Sequence, residues 1–219
     1  MSVQIIKKDV KQINIKVKPN CEVVLTAPQD TTDEHIDFVL QKRADWIAKK
    51  VDFFNKYQHA ANKEYVSGEN FVYLGRNYRL KVIESQDEGV KLQRGYLQVF
   101  VKDKSNLAKK QRLVKEWYLI KAEEHFHKAI DKYQPIVKEG IANIRIREMK
   151  TRWGSCNPAK GYINLNSELI KKPTICIEYV VFHELAHLVY MDHNKKFYNY
   201  LTLFMPDWKK RKKKLENIL

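Results

Sequence analysis

The chain has 219 residues, of which 44% are hydrophobic and 31% charged, and 41 basic against 26 acidic side chains leave a formal net charge of +15. A chain of this length buries a core without disulfide staples, and its aliphatic and aromatic content excludes disorder and collagen-like structure. No stretch reaches the roughly 18 uncharged apolar residues of a membrane span, and Met1 to Asp9 lack the apolar core of a signal peptide, so no membrane is expected and a cytoplasmic location is. Cys21, Cys156 and Cys176 are too few and too widely spaced for a disulfide framework or a paired-cysteine zinc knuckle, and are expected to be structural thiols.

Alternation of apolar and polar residues between Val3 and Thr26, with Ile13, Ile15 and Val17 before Pro19-Asn20 and Val23 and Leu25 after it, predicts a hairpin. Asp33 is placed to cap a helix running to about Tyr57, with a stripe of Ile36, Val39, Leu40, Ala44, Ile47, Ala48 and Val51. Strands are expected at Phe71–Leu74, Tyr78–Val82, Val90–Gln93 and Leu97–Val101, broken at Gly75, Gly89 and Gly95. A long helix then starts at Ser105 or Asn106. Its apolar side is Leu107, Leu113, Val114, Trp117, Tyr118, Ile120 and Phe126, and it should end before Pro135. Next come a strand at Asn143–Met149, a turn at Asn157-Pro158 and Lys160-Gly161, a return strand at Tyr162–Leu165, and a helix from Pro173 to about Tyr190. The fold class is α+β. A strand-rich N-terminal region, 1–105, precedes a second region, 106–219, and with no linker between them the two are compatible with one compact domain.

The helix after Pro173 is apolar almost all the way round and should be buried. Ionisable groups inside it cost several kcal/mol each unless partnered, so His183, Glu184 and His187 need a reason to be there, and a metal ion supplies one. Two histidines four apart stand on one helical face and can point at a single ion, while the glutamate beside the first is rotated off that edge toward a water on the metal. This His-Glu-x-x-His order is the zincin pattern, with His183 and His187 as ligands and Glu184 as general base. Zinc in hydrolases usually takes three protein ligands. His193 is the nearest third candidate, because Met191-Asp192-His193-Asn194 reads as a turn that swings the ring back, and Lys195–Met205 contains no acidic residue. His35, His59, His125 and His127 sit among polar neighbours and are not expected to be ligands.

Three groups of residues together resemble the YgjP-like family of zinc metallopeptidases: Thr151-Arg152-Trp153-Gly154-Ser155-Cys156; the strand Tyr162-Ile163-Asn164-Leu165-Asn166; and Glu178 to Leu188 with His193 and Phe197. The similarity extends from the N-terminal strands, including Tyr73-Leu74-Gly75, to Pro206. The resemblance implies a zincin-like fold with the active-site helix on a small sheet and a bacterial or archaeal cytoplasmic protein related to SprT-like and Wss1-like peptidases. It further implies one zinc ion on His183, His187 and His193, and Glu184 as catalytic base. Metzincins share the histidine spacing but carry glycine where this chain has Tyr190, which lacks glycine's freedom at positive φ, so the chain should leave the helix by another route.

The expected chemistry is metal-assisted hydrolysis of a protein or peptide, with Glu184 moving the proton. Arg152, Tyr190, Tyr198 and Tyr200 are candidate oxyanion donors by type and proximity, and Trp153 to Cys156 could wall a cleft where an extended peptide adds as a strand. Two alternatives stay open: a nucleic-acid-associated binding protein with a structural zinc, and a zinc hydrolase of another amide. The first draws on the basic run Lys209-Lys210-Arg211-Lys212-Lys213-Lys214, since lysine and arginine clusters release counterions from phosphates and could contact DNA; a DNA-associated protein as partner is what the resemblance to SprT-like and Wss1-like peptidases implies.

Overall fold

The computed structural model describes residues 3–18, 20–61 and 63–217. Pro19 of the expected turn and the side chain of His59 lie outside them. The chain divides into two compact units, Met1–Lys63 and Glu64–Leu219.

The first unit holds strands β1 (Val3–Lys7), β2 (Asn14–Val17) and β3 (Val23–Ala27) in the order β1-β3-β2. The expected hairpin is β2 antiparallel to β3; the addition is β1, parallel to β3 on its other side. The single helix expected from Asp33 is two helices, α1 (Asp33–Lys42) and α2 (Ala44–Ala61), broken at Arg43. Its cap is Thr32, whose hydroxyl accepts from the His35 N–H at 3.3 Å, with Asp33 in the first turn. The break serves two separate clusters. Ile36 of α1 packs with Leu25 and Ala27, while Ile47 and Phe54 of α2 pack with Val17 and Val23.

The second unit begins with four strands, β4 (Asn70–Tyr73), β5 (Arg76–Glu84), β6 (Gly89–Gln93) and β7 (Tyr96–Val101), ordered β4-β5-β7-β6 with β5 parallel to β7. Helix α3 (Leu107–Val137) follows, capped by the Asn106 side chain on the Lys109 N–H at 3.0 Å. It runs through Pro135 instead of ending before it, because Pro135 lies in the last turn, where one lost hydrogen bond matters least. The Tyr200 hydroxyl donates to the Ile136 carbonyl at 3.1 Å, satisfying one of the end groups a helix leaves unpaired. Leu107 and Ile120, placed on the apolar side by spacing, face solvent.

Strands β8 (Asn143–Arg147), β9 (Gly154–Asn157) and β10 (Tyr162–Asn166) form a third sheet, ordered β8-β10-β9, so that β9 is an edge. After a 3-10 turn at Ser167–Lys171 comes α4 (Thr174–Ala186), then α5 (Lys195–Phe204) and α6 (Trp208–Asn217). Nine of the 13 residues of α4 are buried, so tertiary packing rather than helix propensity holds this β-branched segment helical. Its neighbours are α3, α5, α6, β9 and β10. The expected division at 105 would cut a continuous core. Phe71, Leu80, Leu97 and Val99 of the four-stranded sheet share one cluster with Phe126 and Ile130 of α3 and Ile177, Val181 and Phe182 of α4. Among the described residues no helix is long and apolar enough to cross a membrane.

Candidate metal centre and active site

Helix α4 ends at Ala186, four residues earlier than its apolar run suggests, and His187 is its C-cap. The Leu188, Val189 and Tyr190 N–H groups bond back to the carbonyls of Leu185 and Ala186, which turns the chain. Tyr190 is not among the described residues with positive φ, consistent with an exit unlike a glycine turn. The turn ends at Asn194, whose side chain accepts from the Phe197 N–H at 3.1 Å and caps α5.

This path returns His193 to the helix. Its Nε2 lies 3.0 Å from Nε2 of His183 and 3.1 Å from Nε2 of His187. The three candidate ligand atoms all lie within 4.8 Å of one another. Phe197, fully buried, is the aromatic floor under them, with its ring centroid 5.1, 4.7 and 4.9 Å from those of His183, His187 and His193.

The donor set fits a divalent cation. His187 Nδ1 lies 3.0 Å from the Tyr190 carbonyl, which can only accept, so the proton sits on Nδ1 and the Nε2 lone pair faces the cluster. His183 is pushed down to about 3 by burial, with His187 and His193 adding repulsion, so its ring is neutral, as a ligand must be. Its Nδ1 is buried with no hydrogen-bond partner. With a cation among them all three Nε2 atoms would present lone pairs inward, whereas without one a shared proton must bridge such short N···N approaches. The observed separations approach the roughly 3.3–3.4 Å edge of a tetrahedral site with Zn–N bonds of about 2.0–2.1 Å.

Glu184 is buried, 6% exposed, and points from α4 toward β9. Gly154 makes room for it: a Cβ at that position would lie 2.6 Å from Glu184 Oε1 and 2.7 Å from its Cγ. Burial pushes the Glu184 carboxyl up to about 8, with the Arg152 charge pulling the other way. Cys156, on the same side of β9 as Gly154, has its thiol raised to about 11 by burial first and the Glu184 charge second, so it stays protonated and packs as a small apolar group.

The loop that delivers Gly154 hangs on one buried amide, Asn166. Its Nδ2 donates to the carbonyls of Met149 at 2.8 Å and Arg152 at 3.0 Å, and its Oδ1 accepts from the N–H groups of Met149 at 3.3 Å and Glu168 at 3.1 Å. Residue-by-residue reading gave Asn166 and Phe197 no role; both stand only in the segments that carry the family resemblance. Of the oxyanion candidates, Tyr200 is engaged by the Ile136 carbonyl, Tyr198 stacks on Trp208, and Arg152 is exposed with its charge reaching Glu184. The other described histidines lie outside the cluster: His125 bonds the Tyr73 hydroxyl at 2.9 Å, His127 donates to the Glu123 carbonyl, and His35 is exposed on α1. In the basic run Arg211 is inward, bound to Glu178 and Asp207, while Lys209, Lys210, Lys212, Lys213 and Lys214 are exposed.

A histidine cluster built from the end of a helix and the turn after it, with a buried carboxylate beside it, is the donor arrangement of a metal-dependent hydrolase. The family model of the YgjP-like metallopeptidase domain matches residues 11–218, and the chain belongs to that family of metallopeptidases. No curated protein matches the chain. Among solved structures it is similar to the metallopeptidase zymogen jannalysin of Methanocaldococcus jannaschii, at 22% identity and a TM-score of 0.39, over 43% of this chain and 90% of that one. It is also similar to the zymogen abylysin of Pyrococcus abyssi, at 22% identity and a TM-score of 0.37, over 45% of this chain and 94% of that one.

Proposed function

We propose that this metallopeptidase is zinc-dependent, that His183, His187 and His193 hold one zinc ion, and that Glu184 is the general base for peptide-bond hydrolysis. The observation that carries the reading is the convergence of three imidazole nitrogens, His193 Nε2 lying 3.0 and 3.1 Å from those of His183 and His187, beside a buried carboxylate. An all-imidazole set accepts nickel, copper or cobalt as well as zinc; zinc is the ion proposed because three protein ligands with a fourth position left for water is the usual arrangement of a hydrolytic zinc site. Bound there, the ion would supply a Lewis acid for the scissile carbonyl and acidify water toward neutrality.

The chain's own groups do the rest. Glu184 takes a proton from the attacking water and returns it to the leaving amine, a role suited by a carboxyl poised near neutrality. The positive charge of a bound cation acts against burial, keeping the carboxylate able to accept a proton at working pH. The free edge of β9 beside Glu184 offers main-chain groups on which an extended substrate can lie as an added strand. Arg152 is the donor whose charge already reaches this carboxylate.

Glu184→Gln preserves shape and removes the base. Both it and the wild type should bind about one zinc per chain by elemental analysis, while its cleavage of an unfolded protein such as casein falls on the order of 10²–10⁴-fold below the wild type's. Cleavage by Glu184→Gln at the wild-type rate would overturn the assignment.

A further inference from the structure

We propose that the groove between the free edge of β2 and the adjoining face of α1, within the N-terminal unit, docks an extended acidic segment of a protein, which adds to β2 as a further strand. Strand β2 ends its sheet, with β3 as its one neighbour. The Lys18 N–H bonds the Glu22 carbonyl at 2.8 Å, which fixes the phase of the ladder. Hydrogen-bonded pairs therefore fall at Lys16 and Asn14, and the N–H and C=O groups of Ile15 and Val17 point to the open edge.

A cavity of about 720 Å³ lies along this edge. Ile13 and Ile15 form its strand side, and Val39 and Trp46 its helical side. Lys11 and Arg43 add positive charge, and among the described residues no carboxylate lines it. His35, Val39 and Arg43 recur every four residues and so share one face of the α1 end of the groove.

These features select the occupant. An open strand edge offers alternating main-chain donors and acceptors, which another peptide backbone satisfies and a nucleic acid does not. In an antiparallel pairing of two β2 strands residue i faces j and j faces i, so any such register brings the lysines of both copies, Lys11 and Lys16 among them, to one seam that has no acidic residue between 11 and 18, and like charges there are unfavourable. An acidic strand meets the same lysines favourably. Alternate side chains of an added strand point to opposite faces, so one set enters the apolar cavity and the other stays near solvent. The fitting segment therefore alternates acidic and apolar residues. That such a segment belongs to a substrate rests on the peptidase reading; its binding does not.

The test measures binding by fluorescence anisotropy, with a capped, fluorescein-labelled peptide of alternating Glu and Val and the full-length Glu184→Gln chain, which leaves the peptide intact. Saturable binding is expected, weakened on the order of tenfold by Lys11→Glu with Arg43→Glu and abolished when alternate peptide nitrogens are methylated or Glu is replaced by Lys. Both reversed positions are exposed, and unchanged circular dichroism checks the fold. Trp46→Ala, which empties the apolar side and keeps the charges, should weaken binding as well. Failure of the acidic peptide to bind, equal binding by the charge-reversed chain, equal binding of the methylated peptide, or β2-mediated dimers in sedimentation would each overturn the proposal, as would capture of an oligonucleotide in its place. None of these readouts involves cleavage, so their failure is separable from failure of the peptidase assignment.

Discussion

Gly154 and Glu184 compete for one volume. A methyl group at 154 would stand 2.6 Å from Glu184 Oε1, 2.7 Å from Cγ and 2.9 Å from Cδ, so the whole side chain must move and not only its tip. Glu184 is buried and has little free space to move into, whereas the three histidines are held by other groups: the Tyr190 carbonyl, the Phe197 ring and the end of α4. Gly154→Ala should therefore separate proton transfer from metal binding. Displacing a proton-transfer group by about 1 Å lowers turnover on the order of 100-fold, while zinc content stays at the wild-type level. Peptidase kinetics with elemental analysis on the same preparation check this, and wild-type turnover in Gly154→Ala would show that Glu184 does not need its present position.

At the scale of elements, α4 is positioned at its start by a hairpin turn. Leu74 and Gly75, between β4 and β5, both have positive φ, +48° and +77°, the conformation of a two-residue type I′ turn. Their N–H groups donate to the carbonyls of Ile170 and Lys171 at 3.0 Å, and a Cβ on Gly75 would lie 2.6 Å from Cγ of Pro173, the N-cap of α4. Gly75→Ala combines left-handed strain with overpacking and should cost about 2–4 kcal/mol, read as a lower denaturant midpoint with the slope unchanged; a midpoint within error of wild type would mean the turn can leave Pro173 freely. Gly75 was legible in the sequence as a strand break, but its partner about 100 residues away was not. The same distinction runs through the molecule. Strands β4–β7 and the buried character of α4 follow from local alternation and apolar content. The carbonyl that α3 leaves open just past Pro135 is satisfied by Tyr200, 64 residues on, and the turn after Ala186 matters because it carries His193 back to His183 and His187, contacts made only in the folded chain. The histidine spacing along α4 was readable because a helix converts sequence distance into direction, whereas Asn166 acts through main-chain groups of a loop, which leave no mark in side-chain pattern.

For the molecule as a whole, a chain with net charge +15 must spread its repulsion, and its few partly buried carboxylates carry corresponding weight. Glu178, on α4 five residues before His183, accepts from Lys132 of α3 at 2.7 Å and from Arg211 of α6, with the Tyr133 hydroxyl at 3.3 Å. One carboxylate thus ties α3 and α6 to the helix that carries the candidate centre. Burial alone would raise the Glu178 carboxyl, but hydrogen bonds from Lys132 and Arg211 outweigh it and hold it below its ordinary value of 4.5. A carboxyl whose folded pKa is depressed contributes stability that is present above the unfolded pKa and lost as pH falls through the folded one. The loss should therefore lie below about pH 4.5, and because the Glu178 and Arg211 side chains are only 17% and 15% exposed, salt should screen it little. Glu178→Gln should lower stability by about 1–3 kcal/mol at neutral pH and flatten the acid limb, since the glutamine has no proton to take up. Urea unfolding of both chains from about pH 7 down to pH 3 in high salt measures this; parallel pH profiles for wild type and Glu178→Gln would show that the tie between α3, α4 and α6 is not carried by this charge.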